Sequence, residues 1–182
     1  MIRKRLRSER GYTLVELLVV LAIFTTVVTA LVALFTSGAK AELDMNRRFE
    51  AQQNARLALD RMRRELHCSS GITASSGVAV SSISVALPSQ CPSSGGTAIT
   101  VVYDTSLVST GRYRVRRTVS GTTVVIADYI TTSGGTTFTY TPESASSRAL
   151  LHVDFQVNIN PNEGWKTWRL VDDIVLRNTL RQ

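Results

Sequence analysis

The segment Tyr12–Phe35, YTLVELLVVLAIFTTVVTALVALF, limits what this chain can fold into more than any other, because 19 of its 24 residues are apolar. As a helix it spans roughly 36 Å at about 1.5 Å per residue, enough to cross a hydrocarbon core of about 30 Å. Its only charge is Glu16, and Thr13, Thr25, Thr26 and Thr29 have hydroxyls short enough to bond back to their own helix. Outside this segment the chain is an ordinary polar one. The overall 43% apolar and 19% charged content excludes a disordered tail, a collagen-like fibre and a polytopic transporter.

Charge is as uneven as hydropathy. The chain carries +7, but Arg3, Lys4, Arg5, Arg7 and Arg10 against Glu9 place +4 of it in the first eleven residues. A basic excess set before an apolar run is explained by membrane topology rather than by nucleic-acid binding. The basic flank stays cytoplasmic, and Lys40 onward lies on the far side. The expectation is a single-pass protein of the cytoplasmic membrane with an extracytoplasmic head.

A cleaved secretory signal is one alternative, with Ala39-Lys40-Ala41 as an A-x-A site. The apolar region is much longer than the roughly 7–15 residues such a signal uses. A plain signal anchor is the other, and it leaves Glu16 unexplained. A carboxylate inside an apolar helix costs roughly 2.5–3.5 kcal/mol on insertion scales. Such an acid needs a positive partner, and none exists within this helix.

The run Arg10-Gly11-Tyr12-Thr13-Leu14-Val15-Glu16-Leu17-Leu18-Val19-Val20-Leu21-Ala22-Ile23 resembles the type IV prepilin (class III) signal. That signal is a basic leader ending in Gly, then an aromatic residue, then a Glu four residues further on, all opening a long apolar helix. Tyr12 stands where Phe is usual, and the leader is somewhat long. The resemblance implies cleavage after Gly11 by prepilin peptidase and N-methylation of Tyr12. It also implies that Glu16 pairs with the N-terminal amine of a neighbouring subunit during assembly, which supplies the missing cation. The implied partners are other pilin or pseudopilin subunits, the prepilin peptidase/methyltransferase, an inner-membrane assembly platform and membrane lipid.

Beyond Phe35 the residues Ala39–Leu66 are good helix formers without proline, so the helix is expected to continue, with Gly38 as its soft point. Ala55, Leu59, Met62 and Leu66 recur at spacings of four, three and four and mark one apolar face. The stretch Gln52–Leu66, QNARLALDRMRREL after its first Gln, is similar to the corresponding helix of W-type minor pilins and J-type minor pseudopilins. A solvated face over a core stripe explains the same residues.

Composition changes at Cys68. Between Ser69 and Ser147, 31 of 79 residues are Ser or Thr and eight are Gly, yet β-branched runs recur between them. Strands are expected at Val78–Leu87, Ala98–Asp104, Arg112–Val119, Thr122–Ile130, Thr136–Thr141, Leu150–Ile159 and Leu170–Arg177. Ser120-Gly121 marks a tight hairpin, and Gly95-Gly96 and Gly134-Gly135 mark other turns. In the clearest strand Leu151, Val153, Phe155, Val157 and Ile159 face inward, with His152, Asp154, Gln156 and Asn158 outward. One long helix followed by short strands predicts an α+β fold, a pilin-like head with an antiparallel sheet. The organisation is then a leader at 1–11, a membrane or filament-core helix at 12–35, its amphipathic continuation at 36–67, and a β-rich head at 68–182.

Cys68 and Cys91 are the only cysteines. On the oxidising side of the membrane they are expected to form a disulfide, the alternative being two buried thiols. No histidine or further cysteine sits at metal-ligand spacing, and Asp172-Asp173 with Glu163 lack the alternating oxygen ligands of a calcium loop. No nucleophile-elbow, zincin, P-loop or dinucleotide motif is present, so neither enzyme activity nor a cofactor is expected. His67 and His152 are expected at the surface. Trp165 and Trp168 are expected to be a core anchor or a subunit contact.

Arg112, Arg114 and Arg116 fall on one strand face at intervals of about 6.6 Å, spacing that suits phosphates or an acidic subunit. The competing reading is an edge strand protected by charge. Two functions follow: a subunit, minor by the helix resemblance, of a type IV pilus, competence pilus or type II secretion pseudopilus, or a membrane-anchored binding module for DNA or a surface ligand that never polymerises.

Overall fold

The computed structural model describes residues 11–160 and 167–177. The chain divides into two compact units, residues 1–45 and 46–182. One helix, α1 (Leu14–Cys68), contributes to both, passing through Gly38 without interruption. A lone glycine costs only about 1 kcal/mol in a helix, too little to break one that is long and otherwise well formed.

In the first unit the large apolar side chains of α1 are exposed, Leu14, Leu18, Phe24 and Phe35 among them. Thr13 caps the helix. Its Oγ1 accepts the Glu16 N–H at 3.3 Å, and a Glu16 carboxylate oxygen accepts the Thr13 N–H at 3.4 Å. This is the reciprocal arrangement of a capping box, in the sequence form T-x-x-E. Further along, Thr25, Thr26, Thr29, Thr36 and Ser37 each donate a hydroxyl to a carbonyl three or four residues back, at 2.7–3.0 Å. Their polarity is thereby spent inside the helix, which an apolar solvent requires.

In the second unit α1 buries Ala51, Ala55, Ala58, Leu59, Met62, Glu65 and Leu66. The anticipated stripe of Ala55, Leu59, Met62 and Leu66 is therefore the buried face, with a glutamate added to it. It packs on one face of an antiparallel sheet made of β1 (Gly71–Thr73), β2 (Ala79–Val80), β3 (Ser82–Leu87), β4 (Ile99–Ser109), β5 (Arg112–Val119), β6 (Thr122–Ile130), β7 (Phe138–Thr141), β8 (Leu150–Val157) and β9 (Trp168–Val175). The strand order is β1-β3-β4-β5-β6-β8-β7-β2, with β9 on the free edge of β8. The fold is α+β and pilin-like, as the sequence predicts.

The alternation in each strand supplies the core: Ile83, Val85 and Leu87 from β3, Val101 and Tyr103 from β4, and Leu151, Val153, Phe155 and Val157 from β8. Phe138 meets Phe155 edge-to-face at 6.4 Å. Ser120 and Gly121 both have positive φ, 47° and 82°, giving the tight primed turn expected between β5 and β6.

Several boundaries differ from the sequence reading. The expected strand Val78–Leu87 is split into β2 and β3, which pair with different partners, β7 and β4. β4 runs on to Ser109, because its polar outer residues Asp104 and Ser106 pair with arginines of β5. β8 ends at Val157, and Asn158 is buried rather than outward. Its backbone N–H bonds to the Tyr129 carbonyl at 3.0 Å and its side-chain amide reaches Thr167 Oγ1 at 3.2 Å, so its polar groups are met within the protein.

Candidate functional site

The N-terminal motif comes first along the chain. Gly11 and Tyr12 are exposed and precede α1, with Tyr12 retaining 87% of its accessible surface. The Gly11–Tyr12 peptide thus precedes the helix, and a Cβ placed on Gly11 would meet no atom of the described residues within 4 Å. Glu16 lies one turn in, engaged with Thr13 as described. Glu16 thus has a second role beside that of an acid without a cation, as the N3 partner of a helix cap. The signal for it, Thr three residues before Glu at a helix start, is present in the sequence.

The three arginines singled out in β5 do lie together on the outer face of the sheet, and each holds a carboxylate. Arg112 binds Asp128 with two nitrogens, at 2.8 and 3.1 Å, and Arg114 reaches the same carboxylate at 2.9 Å. Arg116 pairs with Asp104 across β4. The Arg112 guanidinium also stacks 4.0 Å from the Tyr129 ring centroid. Burial alone would raise the Asp128 carboxyl. Hydrogen bonds from Arg112, the Tyr129 N–H and Arg114 outweigh it and hold the group below the usual carboxylate range. β5 lies between β4 and β6, so protection of a free edge does not account for the arginines.

The fourth arginine of the run, Arg117, faces the other way. It enters the helix–sheet interior and binds Glu65, 3.0 Å from Nη2 to Oε1, with its Nε 3.1 and 3.2 Å from the two carboxylate oxygens. Glu65 is 1% exposed and also accepts the Tyr103 hydroxyl hydrogen. Burial, and the Glu65 carboxylate beside it, push the Tyr103 phenol far above its ordinary range. Sequence reasoning missed this group, since a glutamate at a helical position next to arginines looks like any solvated residue.

The cysteines form a disulfide, Cys68–Cys91, with Cα atoms 5.8 Å apart. It ties the end of α1 to a 3-10 turn at Pro92–Ser94. His67 bonds the Val175 carbonyl at 3.0 Å, and His152 pairs with Asp173 at 2.6 Å. Asp172 binds Arg63 at 2.7 Å. Both aspartates of the considered calcium set are thus taken up by basic side chains, and Glu163 and Trp165 lie outside the described residues. Trp168 is half-buried, with the Arg56 guanidinium 5.2 Å from its ring centroid.

Residues 6–32 match the family described as the prokaryotic N-terminal methylation motif. The N-terminal segment is prepilin-like. The match contains Gly11, Tyr12 and Glu16 and stops short of the amphipathic half of α1 and the whole sheet. Comparison with curated proteins and with solved structures gave no match.

Proposed function

We propose that this chain is a minor subunit of a type IV pilus, competence pilus or type II secretion pseudopilus, processed by prepilin peptidase and assembled through its N-terminal helix. The observation that carries the proposal is Glu16, the one charged residue of the exposed apolar stretch Tyr12–Phe35, inside the matched methylation motif. Hydrolysis of the Gly11–Tyr12 bond leaves an ammonium on Tyr12, and methylation of that nitrogen keeps its charge. A neighbouring subunit's ammonium is then the cation that Glu16 lacks within Tyr12–Phe35, and an ion pair formed in a low-dielectric filament core is strong. The head stays on the extracytoplasmic side, where a disulfide persists. The minor-subunit reading rests on the resemblance at Gln52–Leu66.

Two measurements test this. Intact mass of the membrane-extracted protein is expected to show a chain beginning at methylated Tyr12; a start at Met1, or at Glu42 after the A-x-A site, sinks the processing step. Glu16→Ala is expected to keep membrane insertion and lose incorporation into filaments. A variant that incorporates normally rules out the pairing role and favours the non-polymerising anchor.

A further inference from the structure

The sheet has a seam between β6 and β8. Those two strands share one residue pair, Ile130↔Val157, whereas β6 pairs with β5 from Thr122 to Ile130, with two register shifts that leave Ile126, Asp128 and Tyr129 out of the pairing. Residues 122–126 of β6 consequently have β5 on one edge and, among the described residues, no strand on the other. A row of unpaired backbone N–H and C=O groups is a template for another strand. Here the row carries T-T-V-V-I, a sequence of high β-propensity, and Val124 and Val125 are 50% and 48% exposed.

Alongside this edge runs a groove of about 300 Å³ between β6 and the second-unit part of α1, lined by Leu57, Arg61, Arg64, Val124, Val125 and Ile126. Leu57 is 65% exposed. The rim is basic. Glu65 is shared by Arg117 at 3.0 Å and Arg61 at 3.6 Å, so one carboxylate faces two guanidiniums. Arg64 adds a further cation with no acidic partner among the described residues. β6 has a register shift at Ile126, one of the devices by which proteins blunt a free edge, but it lacks the inward-pointing charge that is another. Residues 122–126 carry no charge at all.

We propose that the 122–126 edge and its groove form a docking site for an extended segment of a partner protein in which apolar and acidic residues alternate. The partner adds a strand antiparallel or parallel to β6, meeting the free backbone groups. On the face toward α1 its carboxylates reach Arg64 and Arg61 beside Val124, and on the opposite face its apolar side chains lie beside Val125. A second copy of this chain offering the same edge would bring the two basic rims together, which charge repulsion disfavours. The inference stands on the head alone and does not depend on how the N-terminal segment is processed.

The test uses the full chain in detergent micelles and two capped octapeptides, one alternating Val and Glu and one alternating Val and Lys. The Val/Glu peptide is expected to bind at least about five-fold more tightly by fluorescence anisotropy, the difference expected of rim charges. Hydrogen exchange is expected to slow at the 122–126 amides. Arg64→Glu, at an exposed site outside the core, is expected to reverse the preference between the two peptides. Equal binding of both peptides, no binding of either, unchanged preference in Arg64→Glu, or protection elsewhere than 122–126 overturns the proposal. So does an acidic helical peptide that competes equally well, or a self-association that Arg64→Glu does not alter.

Discussion

Tyr103 of β4 donates its hydroxyl hydrogen to Glu65 of α1, and both residues are essentially sealed from solvent. Arg117 of β5 binds the same carboxylate from the third side. The helix is therefore held on the sheet by a buried charged cluster as well as by its apolar stripe. The cluster sets register, because a carboxylate moved by one helical residue meets neither donor.

Removing the carboxylate leaves a buried guanidinium and a phenol without their acceptor. Glu65→Ala is expected to destabilise the head by about 3–5 kcal/mol, the range for an uncompensated buried charge. Urea unfolding of the full chain in micelles, followed by tryptophan fluorescence, reads this. A loss below about 1 kcal/mol would show that the cluster is solvated in practice.

Alkali gives a separate view of the same cluster. The folded Tyr103 phenol titrates above its unfolded value of about 10. Its stability contribution is thus complete below that value and is lost as pH rises toward the folded value. Phenolate absorbance is expected to show one tyrosine silent until the head unfolds, and Tyr103→Phe is expected to remove that late step. A wild type in which all five tyrosines ionise while the sheet is intact contradicts the buried bond.

How much of this was legible in advance follows from which signals are local. The α1 stripe at Ala55, Leu59, Met62 and Leu66, the Ser120-Gly121 turn and the bounds of β5 and β6 depend on nearest neighbours, and the structure has them where the sequence places them. The Cys68–Cys91 disulfide joins the two cysteines of the chain, the pairing expected from their number. Glu65 was not legible, because its acceptance into the core depends on Tyr103 and Arg117, respectively 38 and 52 residues away. The arginine face was found, but its neutralisation was not, since Asp128 and Asp104 join it only through strand register. The split between β2 and β3 is likewise a matter of partners, not of local propensity.

The disulfide closes a loop of 23 residues in sequence separation. In the chain-entropy model such a link contributes roughly 3 kcal/mol by restricting the unfolded chain. Cys68→Ser combined with Cys91→Ser is expected to lower the urea midpoint accordingly, with the slope against urea altered by the freer unfolded state. Reduction of the wild type in urea is expected to give the same midpoint as the double variant. A wild type indifferent to reductant would mean that the thiols are not paired.

Gly135 sits at φ 68°, and a Cβ there would come within 2.8 Å of the Tyr113 ring and 2.9 Å of Thr105 Oγ1. Its carbonyl also accepts the Thr105 hydroxyl. Gly135→Ala therefore incurs backbone strain and a clash, for about 1–3 kcal/mol together. Gly134, also left-handed at φ 65° but with open space around it, is expected to cost less. Equal losses at the two positions, measured by thermal unfolding, would refute the close approach to Tyr113.

Acid tests the outer face of the sheet. Asp128 holds its proton less readily in the folded chain than in the unfolded one, because Arg112, the Tyr129 N–H and Arg114 all bond the ionised form. A carboxyl with a depressed folded value stabilises fully above its unfolded value of about 3.9 and loses that contribution as pH falls through the folded value. The head is thus expected to lose stability on acidification below about pH 4. Asp128→Asn is expected to be less stable than the wild type at neutral pH and to show a shallower acid decline. The gap between the two is expected to close toward low pH, as urea midpoints measured across the acid range would show. Parallel pH profiles would mean that Arg112 and Arg114 do not hold Asp128 in solution.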